Sequence, residues 1–205
     1  MELTDIKKSQ CCESVDTNAL SDEGLGVISS SFRHILNVCY PHEHHCSLLK
    51  TPERAAKALV ELVSGYHMDL NEVINGAIYP VSTNDWVMLK DIQFSSLCEH
   101  HMLPFFGTID VGYLPNKQVI GLSKIPRIVE VFSRRLQLQE RLGLEIANAL
   151  YCSVSAQHVR VIIRAQHSCM MIRGINKQGA SMVTQSVKGR SLTQEEHLCY
   201  RDLLI

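Results

Sequence analysis

Three positions in this sequence carry side chains that could bind one metal ion. Cys98 and His101 are separated by two residues, a spacing at which both can reach the same ion, and Cys169 follows a strand-like segment further along the chain. Two thiolates and one imidazole form a ligand set that favours zinc. Three protein ligands leave a fourth position for water, which is typical of catalytic zinc sites, and zinc lowers the pKa of that water to about 7.

Two further histidines lie within two residues of these candidate ligands. His100 and His167 are candidate proton carriers, because imidazole titrates near physiological pH. Two other interpretations stay open at this point. The cysteines can be ordinary buried thiols, or Cys152 or Cys199 can supply a fourth ligand, which would make the zinc structural.

A second cluster of metal-binding side chains, His42, His44, His45 and Cys46, lies within five residues. Side chains this close in sequence rarely surround an ion on their own. We therefore interpret the cluster as a solvated loop with adventitious metal affinity.

Positive charge is concentrated between residues 115 and 145, where six Lys or Arg residues stand against three Glu. Ser123 can cap a helix whose first turn carries Lys124 and Arg127, and such a helix start attracts phosphate. A solvated basic helix face is the alternative. The chain has no P-loop and no G-x-G-x-x-G motif, so side chains and helix ends would have to hold any nucleotide.

Glu140 lies one predicted helix further on. A buried carboxylate at this place can accept two hydrogen bonds from a guanine base, through its N1–H and its amino group. Taken alone, however, Glu140 is better explained as an exposed i,i+4 ion-pair partner on a helix.

Length and composition bound the class of protein. A chain of 205 residues can bury a core without disulfides, and 45% hydrophobic and 20% charged residues are typical of a globular protein. The net charge of −1 argues against a nucleic-acid binder, and no apolar run approaches the ~20 residues of a membrane span. The N-terminus lacks a signal-peptide pattern, so we expect a cytoplasmic protein whose eight cysteines are thiols or metal ligands.

The hydrophobic periodicity predicts an α+β protein with a mostly antiparallel sheet. We expect helices at about 24–40, from 51 to a stop at Gly65, at 125–132 and at 138–150; strands from 86, at 105–114, 119–122, 158–167 and 181–187; and a last helix that begins with a capping box at 193–196. The segments at 105–114 and 119–122 are predicted to form a hairpin, and Gly143 to cost its helix about 1 kcal/mol. We divide the chain into a flexible arm at 1–22, a helical region at 23–66 and a catalytic domain at 67–205.

At this point the motifs, in their order, resemble those of one known family, GTP cyclohydrolase I, over about 51–189. The motifs that carry the resemblance are TPER at 51–54, CEHH at 98–101, GLSK at 121–124 with Arg127, QLQERL at 137–142, and HSC at 167–169 followed by RG at 173–174. The first 45 residues match no motif of the family.

The resemblance implies a tunnelling fold, in which two helices pack on one face of an antiparallel four-stranded sheet, preceded here by N-terminal helices. It implies a cytoplasmic homodecamer with active sites between subunits, one zinc ion per subunit, and no nucleic-acid or membrane partner. The implied reaction converts GTP and water to 7,8-dihydroneopterin triphosphate and formate, the entry to folate or tetrahydrobiopterin synthesis.

The resemblance also implies a role for each matching residue. Zinc would be bound by Cys98, His101 and Cys169, protons would be moved by His100 and His167 with help from Ser123, guanine would be held by Glu140 and Gln139, and the triphosphate by Lys124, Arg127, Arg173 and, across an interface, Arg54.

Three other interpretations compete with this one. A nitrile reductase of the same fold would need a nucleophilic cysteine without zinc, and a pyruvoyl-tetrahydropterin synthase would need a zinc site of three histidines, so the Cys/His/Cys set argues against both. The third is a non-catalytic paralogue, a zinc-containing scaffold or regulatory subunit. The presence of His100, His167 and Glu140 argues against that alternative.

Overall fold

The computed structural model describes residues 22–40, 46–83 and 85–204. The chain divides into two compact units, with the boundary between Val60 and Glu61. Almost all of the predicted N-terminal arm and the predicted cluster at His42, His44 and His45 lie outside the described residues, as does the side chain of Cys46.

The first unit contains the predicted N-terminal helices. Helix α1 spans Asp22–Cys39, a short 3₁₀ helix spans Cys46–Leu48, and α2 spans Thr51–Leu62, its last two residues belonging to the second unit. The predicted helix start at 51–54 is confirmed, and Pro52 occupies the first turn, where its missing N–H costs nothing.

The second unit holds the remaining elements. They are α3 (Leu70–Ile74), β1 (Ile78–Pro80), β2 (Val87–Cys98), β3 (Pro104–Leu114), β4 (Gln118–Ile120), α4 (Lys124–Ser133), β5 (Leu136–Gln137), α5 (Gln139–Val154), β6 (His158–His167), α6 (Ser168–Met171), β7 (Met182–Gly189) and α7 (Gln194–Leu204). Among the described residues, no helix has both the length and the apolar character that crossing a membrane requires.

The main sheet has the strand order β5-β2-β3-β6-β7. Four of these strands, β2, β3, β6 and β7, are antiparallel neighbours, and the two-residue β5 adds a short parallel pairing at the end of β2. Helices α4 and α5 pack on the sheet. The predicted α+β tunnelling fold is therefore confirmed, while the parallel strand β5 was not predicted.

The predicted hairpin of 105–114 with 119–122 is wrong. Strand β4 pairs instead with β1, with Ile78 opposite Ile120, in a separate two-stranded antiparallel sheet. Both edges of β3 are already occupied, by β2 and by β6, so β3 has no free edge for β4. Strand β1 has only three residues, too few for a periodic pattern to reveal it.

The core lies between the sheet and the two helices. Along β6 the predicted alternation is confirmed, because Val159, Val161, Ile163 and Ala165 are all buried against this side. The helices contribute the apolar stripes that were expected, which include Ile125, Ile128 and Val129 of α4 and Leu142, Ile146 and Leu150 of α5.

Helix α7 begins with the predicted capping box. The backbone N–H of Thr193 donates to a carboxylate oxygen of Glu196, and the N–H of Glu196 donates to Oγ1 of Thr193. Further along the helix, Tyr200 is buried and its ring lies 4.7 Å, centroid to centroid, from that of Trp86. The contact between Tyr200 and Trp86 packs α7 against the rest of the second unit.

Two glycines were read from sequence as breaks, and the structure gives both another role. A Cβ on Gly143 would lie 2.7 Å from Oγ of Ser186, so this glycine lets α5 approach β7 closely. Gly65 does not end α2; it lies in a 3₁₀ helix at Ser64–His67, where a Cβ would collide with backbone oxygens of Val131 and Arg134. Gly65 needs a residue without a side chain because backbone atoms occupy the space, whereas at Gly143 the contact is with a side-chain hydroxyl that can rotate.

A third glycine lies in the centre of the sheet and makes a stability prediction. A Cβ on Gly107 would collide with the carbonyl oxygen of Arg164 and lie 2.8 Å from Cα of Ala165, both on the adjacent strand. We expect Gly107→Ala to lower the free energy of unfolding by about 2–3 kcal/mol, because backbone atoms cannot move aside as a side chain can. Urea unfolding measures the difference.

The matched control is Gly179→Ala, since a Cβ on Gly179 meets nothing within 4 Å. We expect the control to unfold at nearly the wild-type urea concentration. A Gly107→Ala variant as stable as the control would mean that β3 and β6 can separate locally at no cost.

Candidate active site

The structure brings Cys98, His101 and Cys169 together. Their ligand atoms all lie within 4.8 Å of one another. Cys98 is the last residue of β2, and Cys169 lies in α6, two residues after the end of β6. Both strands pair with β3, where Leu97 is opposite Pro104 and His167 is opposite Phe105. Because β2 and β6 are both antiparallel to β3, the last residues of the two strands lie at the same end of the sheet.

A tight turn after β2 adds the histidines. The N–H of Met102 donates to the carbonyl oxygen of Cys98 at 2.8 Å, and Met102 has a φ of +53°, so the chain reverses within a few residues. As a result, Nδ1 of His101 and Nδ1 of His100 lie 3.9 and 4.0 Å from Sγ of Cys98. The two neighbouring imidazoles are nearly equidistant from that sulfur, and Cys169 distinguishes them, because its sulfur lies close to His101 as well.

The donor set fits zinc. Cys98 is buried, Cys169 is half-buried and His101 is exposed. Burial raises the pKa of the Cys169 thiol, and the nearby Cys98 raises that pKa further. Two thiols this close resist ionising together unless a cation lies between them, and a divalent ion that prefers sulfur and nitrogen meets that need.

The proposed fourth ligand is not present among the described residues. Cys152 and Cys199 are exposed, and neither belongs to the group formed by Cys98, His101 and Cys169. The described part of the chain therefore offers three protein donors, as in catalytic zinc sites, rather than the four of a structural site.

His167 is held by two contacts at the end of β6. Its ring stacks on Phe105, with centroids 4.6 Å apart and planes 3° from parallel. Its Nε2 lies 2.9 Å from Oε1 of Gln139. Burial lowers the pKa of His167, an effect that the Glu140 carboxylate opposes, so the neutral ring is favoured.

Gln139 determines which nitrogen of His167 carries the proton. The amide nitrogen of the buried Gln139 lies 3.1 Å from the carbonyl oxygens of both Ile163 and Met182. Carbonyl oxygens can only accept, so the amide nitrogen must face them and Oε1 must face His167. The neutral ring therefore donates through Nε2–H, and its Nδ1 keeps a free lone pair.

Glu140 is the next residue in α5, and its side chain has a different environment from that of the buried Gln139. It is exposed, and none of the hydrogen bonds among the described residues uses its carboxylate. It lies in the first turn of the helix, where the helix dipole favours a negative charge. A free carboxylate beside His167 is thus available to a ligand, whereas the Gln139 amide, expected from the resemblance to contact guanine, is occupied by protein partners.

The candidate phosphate-binding residues fall into two sets: Arg173 lies near enough to Cys169 for its charge to lower the pKa of that thiol, opposing the effect of burial, whereas Ser123, Lys124 and Arg127 belong to the start of α4. Ser123 is exposed at the start of α4, but its side chain makes no capping hydrogen bond, so the predicted cap is absent. Nζ of Lys124 donates to the carbonyl oxygen of Val73 at 2.8 Å. Arg127 and Arg173 are exposed. No hydrogen bond or ion pair among the described residues joins the first turn of α4 to the cysteine group.

Arg54 lies in α2, within the first unit, and is exposed. Its expected contact with a phosphate across an interface stays a prediction.

Sequence reasoning missed two residues that shape the site. Phe105 supports His167 through its position opposite in the sheet, a relation that follows from the strand register once β3 and β6 are known to pair. Arg141 belongs to the basic segment and to the QLQERL motif, neither of which indicates its partner; in the structure it forms an ion pair with Glu99, beside Cys98. Its i,i+4 relation to Gln137 is visible in the sequence, but the contact with Glu99 spans 42 positions and is not.

Comparisons with known proteins found a matching family model and several similar proteins. A family model described as GTP cyclohydrolase I matches residues 28–199. The chain is 47% identical over 162 residues to a protein named GTP cyclohydrolase 1 from Campylobacter jejuni, covering 79% of this chain and 85% of that one. It is 51% identical over 142 residues to the protein of that name from Leptospira biflexa, covering 69% and 78%. With the Methylococcus capsulatus protein the identity is 50% over 155 residues, covering 74% and 84%.

The two adjacent histidines allow a sharp test of the ligand set. We expect His101→Ala to weaken zinc binding by more than about 100-fold, because it removes a ligand, and His100→Ala to leave the affinity within a few-fold of wild type. The two variants are matched, since the histidines are neighbours and their Nδ1 atoms lie at nearly the same distance from Cys98. Zinc per chain by mass spectrometry and competition with a chromophoric chelator measure the effect.

An exposed cysteine outside the group, changed in Cys152→Ser, controls for nonspecific binding by thiols. Full zinc binding by His101→Ala, or equal loss in both histidine variants, would show that the ligands are wrongly assigned.

Proposed function

The chain belongs to the GTP cyclohydrolase I family, and from that premise we propose that it hydrolyses GTP at C8 of guanine and rearranges the product. The proposed products are formate and 7,8-dihydroneopterin triphosphate. The observation that carries the proposal is the convergence of a Cys/His/Cys group, a fixed histidine and a free carboxylate at one edge of the sheet.

We propose that Cys98, His101 and Cys169 hold one zinc ion per chain. When bound, zinc activates water for hydrolysis near neutral pH. The support for this assignment is the donor set itself, two close thiols and an imidazole with no fourth protein donor among the described residues.

His167 is the proposed proton carrier for the first hydrolysis. Addition of water across the C8–N7 double bond of guanine leaves a hydroxyl group on C8 and a proton on N7. Neutral His167 can accept the proton of the attacking water at its free Nδ1 and return it to N7. The stack on Phe105 and the hydrogen bond to Gln139 hold the ring in one orientation throughout.

The later steps are also proton transfers. The imidazole ring of guanine opens, a second hydrolysis releases formate, and the ribose opens, rearranges and closes onto the freed amine. We assign these transfers to His100, whose side chain is 63% exposed, and to the exposed hydroxyl of Ser123.

Glu140 is the proposed guanine anchor. A free carboxylate can accept hydrogen bonds from both N1–H and the amino group of guanine, a two-point contact that adenine cannot make in the same way. Its place beside His167 would present the reacting edge of the base to the proton carrier.

The triphosphate, with about four negative charges, is assigned to Lys124, Arg127, Arg173 and Arg54. Binding energy from these contacts can position the base at the distant reacting edge. Because no described contact joins the first turn of α4 to the cysteine group, we propose that another subunit completes the site. The expected assembly is a homodecamer, and sedimentation of the wild-type protein would test it.

The reaction itself is tested by incubating metal-analysed protein with GTP. We expect formate release and, after oxidation and dephosphorylation, neopterin fluorescence in equal amounts. Chelation should abolish both and added zinc should restore them. Full zinc binding without formate, pterin or a ring-opened intermediate would overturn the proposal and favour the non-catalytic scaffold.

Glu140→Ala tests guanine recognition. We expect kcat/KM for GTP to fall about 100-fold or more, since two charge-assisted hydrogen bonds are lost, while zinc content stays at the wild-type value. The matched control is Glu195→Ala, which removes an exposed glutamate from the first turn of α7. Unchanged GTP kinetics in Glu140→Ala would remove its assigned role.

A further inference from the structure

Arg141 lies in the first turn of α5 and has no role in the proposed mechanism, yet Nε and Nη2 of its guanidinium both make hydrogen bonds. Nη2 lies 2.5 Å from a carboxylate oxygen of Glu99 and donates to the carbonyl oxygen of Leu136 at 2.9 Å. Nε donates to Oε1 of Gln137, also at 2.9 Å. The planar guanidinium presents its donors in fixed directions that fit these three acceptors, whereas a lysine ammonium is a compact charge on a flexible stem without that geometry.

These contacts tie the end of β2 to the start of α5. Glu99 is the residue next to Cys98, and its backbone N–H donates to the carbonyl oxygen of Gln137 at 3.1 Å. Gln137 in turn is buried, and its amide donates to the carbonyl oxygen of Phe132 and to Glu145. The turn that follows Cys98 is thus anchored to β5 by its backbone and to α5 by the Glu99 side chain.

The first turn of α5 therefore reaches both segments that carry the cysteines. Gln139 binds His167, two residues before Cys169, and Arg141 binds Glu99, one residue after Cys98. Glu140, the proposed guanine anchor, lies between them. The first turn of α5 thus contacts both segments that carry the cysteines and also carries the proposed anchor for the guanine base.

The simplest alternative is an ordinary surface ion pair. The side chains of Arg141 and Glu99 are 40% and 30% exposed, and pairs with this exposure add little to stability. That alternative makes a different prediction, because a surface pair has no reason to affect metal binding or turnover. The two interpretations therefore separate when stability and site properties are measured on the same variants.

We propose that Arg141 and Glu99 form a positioning pair that holds the Cys98–His101 turn in register with the first turn of α5. The pair would act on metal affinity and turnover through geometry, without touching the substrate. The turnover part rests on the proposed function, whereas the metal part rests only on the Cys/His/Cys group.

The test uses Arg141→Lys, which keeps the positive charge and loses the planar arrangement of guanidinium donors. Arg134→Lys is the matched control. The Arg134 side chain is half-buried in the same unit, and its ion pairs among the described residues are longer, 3.8 Å to Glu130 and 3.8 Å to Glu61. We expect Arg141→Lys to weaken zinc binding and to lower kcat by about tenfold or more each, the range found for residues that orient metal ligands. The melting temperature of zinc-free protein should stay within about 2 °C of wild type.

Glu99→Gln and the double variant show whether the two residues act together. If Arg141 and Glu99 act through the same interaction, the double variant loses no more zinc affinity than the worse single variant. KM for GTP should change less than kcat, since neither residue is assigned to the substrate. Arg134→Lys should match wild type in all four quantities.

The outcomes are distinguishable from failure of the proposed function. Zinc affinity, measured by competition with a chromophoric chelator, is defined whether or not GTP is consumed. Wild-type zinc affinity in Arg141→Lys would overturn the positioning pair, as would additive losses in the double variant. A wild-type protein that binds zinc but does not convert GTP would overturn the proposed function and leave the zinc comparison to decide the pair.

Discussion

The pairing of β3 with β2 on one side and β6 on the other is the constraint on which the site depends. Antiparallel pairing sends both neighbours toward the same end of the sheet, so the sulfur atoms of Cys98 and Cys169, which are 71 positions apart in the chain, lie within 4.8 Å of each other. The register leaves little freedom, because a slip of one residue would turn every buried side chain of β6 to the other face. Gly107 belongs to this constraint, since only a residue without a Cβ fits against Arg164 and Ala165.

A second constraint is that polar groups buried away from water must find hydrogen-bond partners within the protein. The buried Gln139 bonds to two backbone carbonyls, and those bonds leave its oxygen for His167 alone. The requirement that a buried amide find partners therefore sets the tautomer of a proposed catalytic histidine. The hydrogen bonds that satisfy the buried Gln139 amide are thus the same bonds that fix the tautomer of His167. They also explain why Gln139, which the family resemblance assigns to guanine, is occupied by protein partners.

Elements with long, regular patterns were predicted well, and short or partner-dependent ones were not. Strand β6 was predicted at its observed bounds, because ten residues alternate cleanly, and the capping box of α7 was predicted from two side chains in the correct spacing. Strand β1 escaped notice, and β4 was paired with the wrong strand. A sequence pattern shows that a segment is extended, but which edge is free for it depends on strands that are distant in the chain.

The sequence by itself determined the chemistry available: two cysteines and neighbouring histidines, a carboxylate on a helix start, and motifs that identify a family. Those follow from residue types and short spacings, which need no knowledge of the fold. Only the tertiary structure decided which of these groups meet. Cys152 and Cys199 are chemically equal to Cys169 but lie exposed on helices, and Arg141 acquires its partner Glu99 only when β5 aligns beside β2. Contacts between distant residues are set by packing and strand register, and neither is written in local spacing.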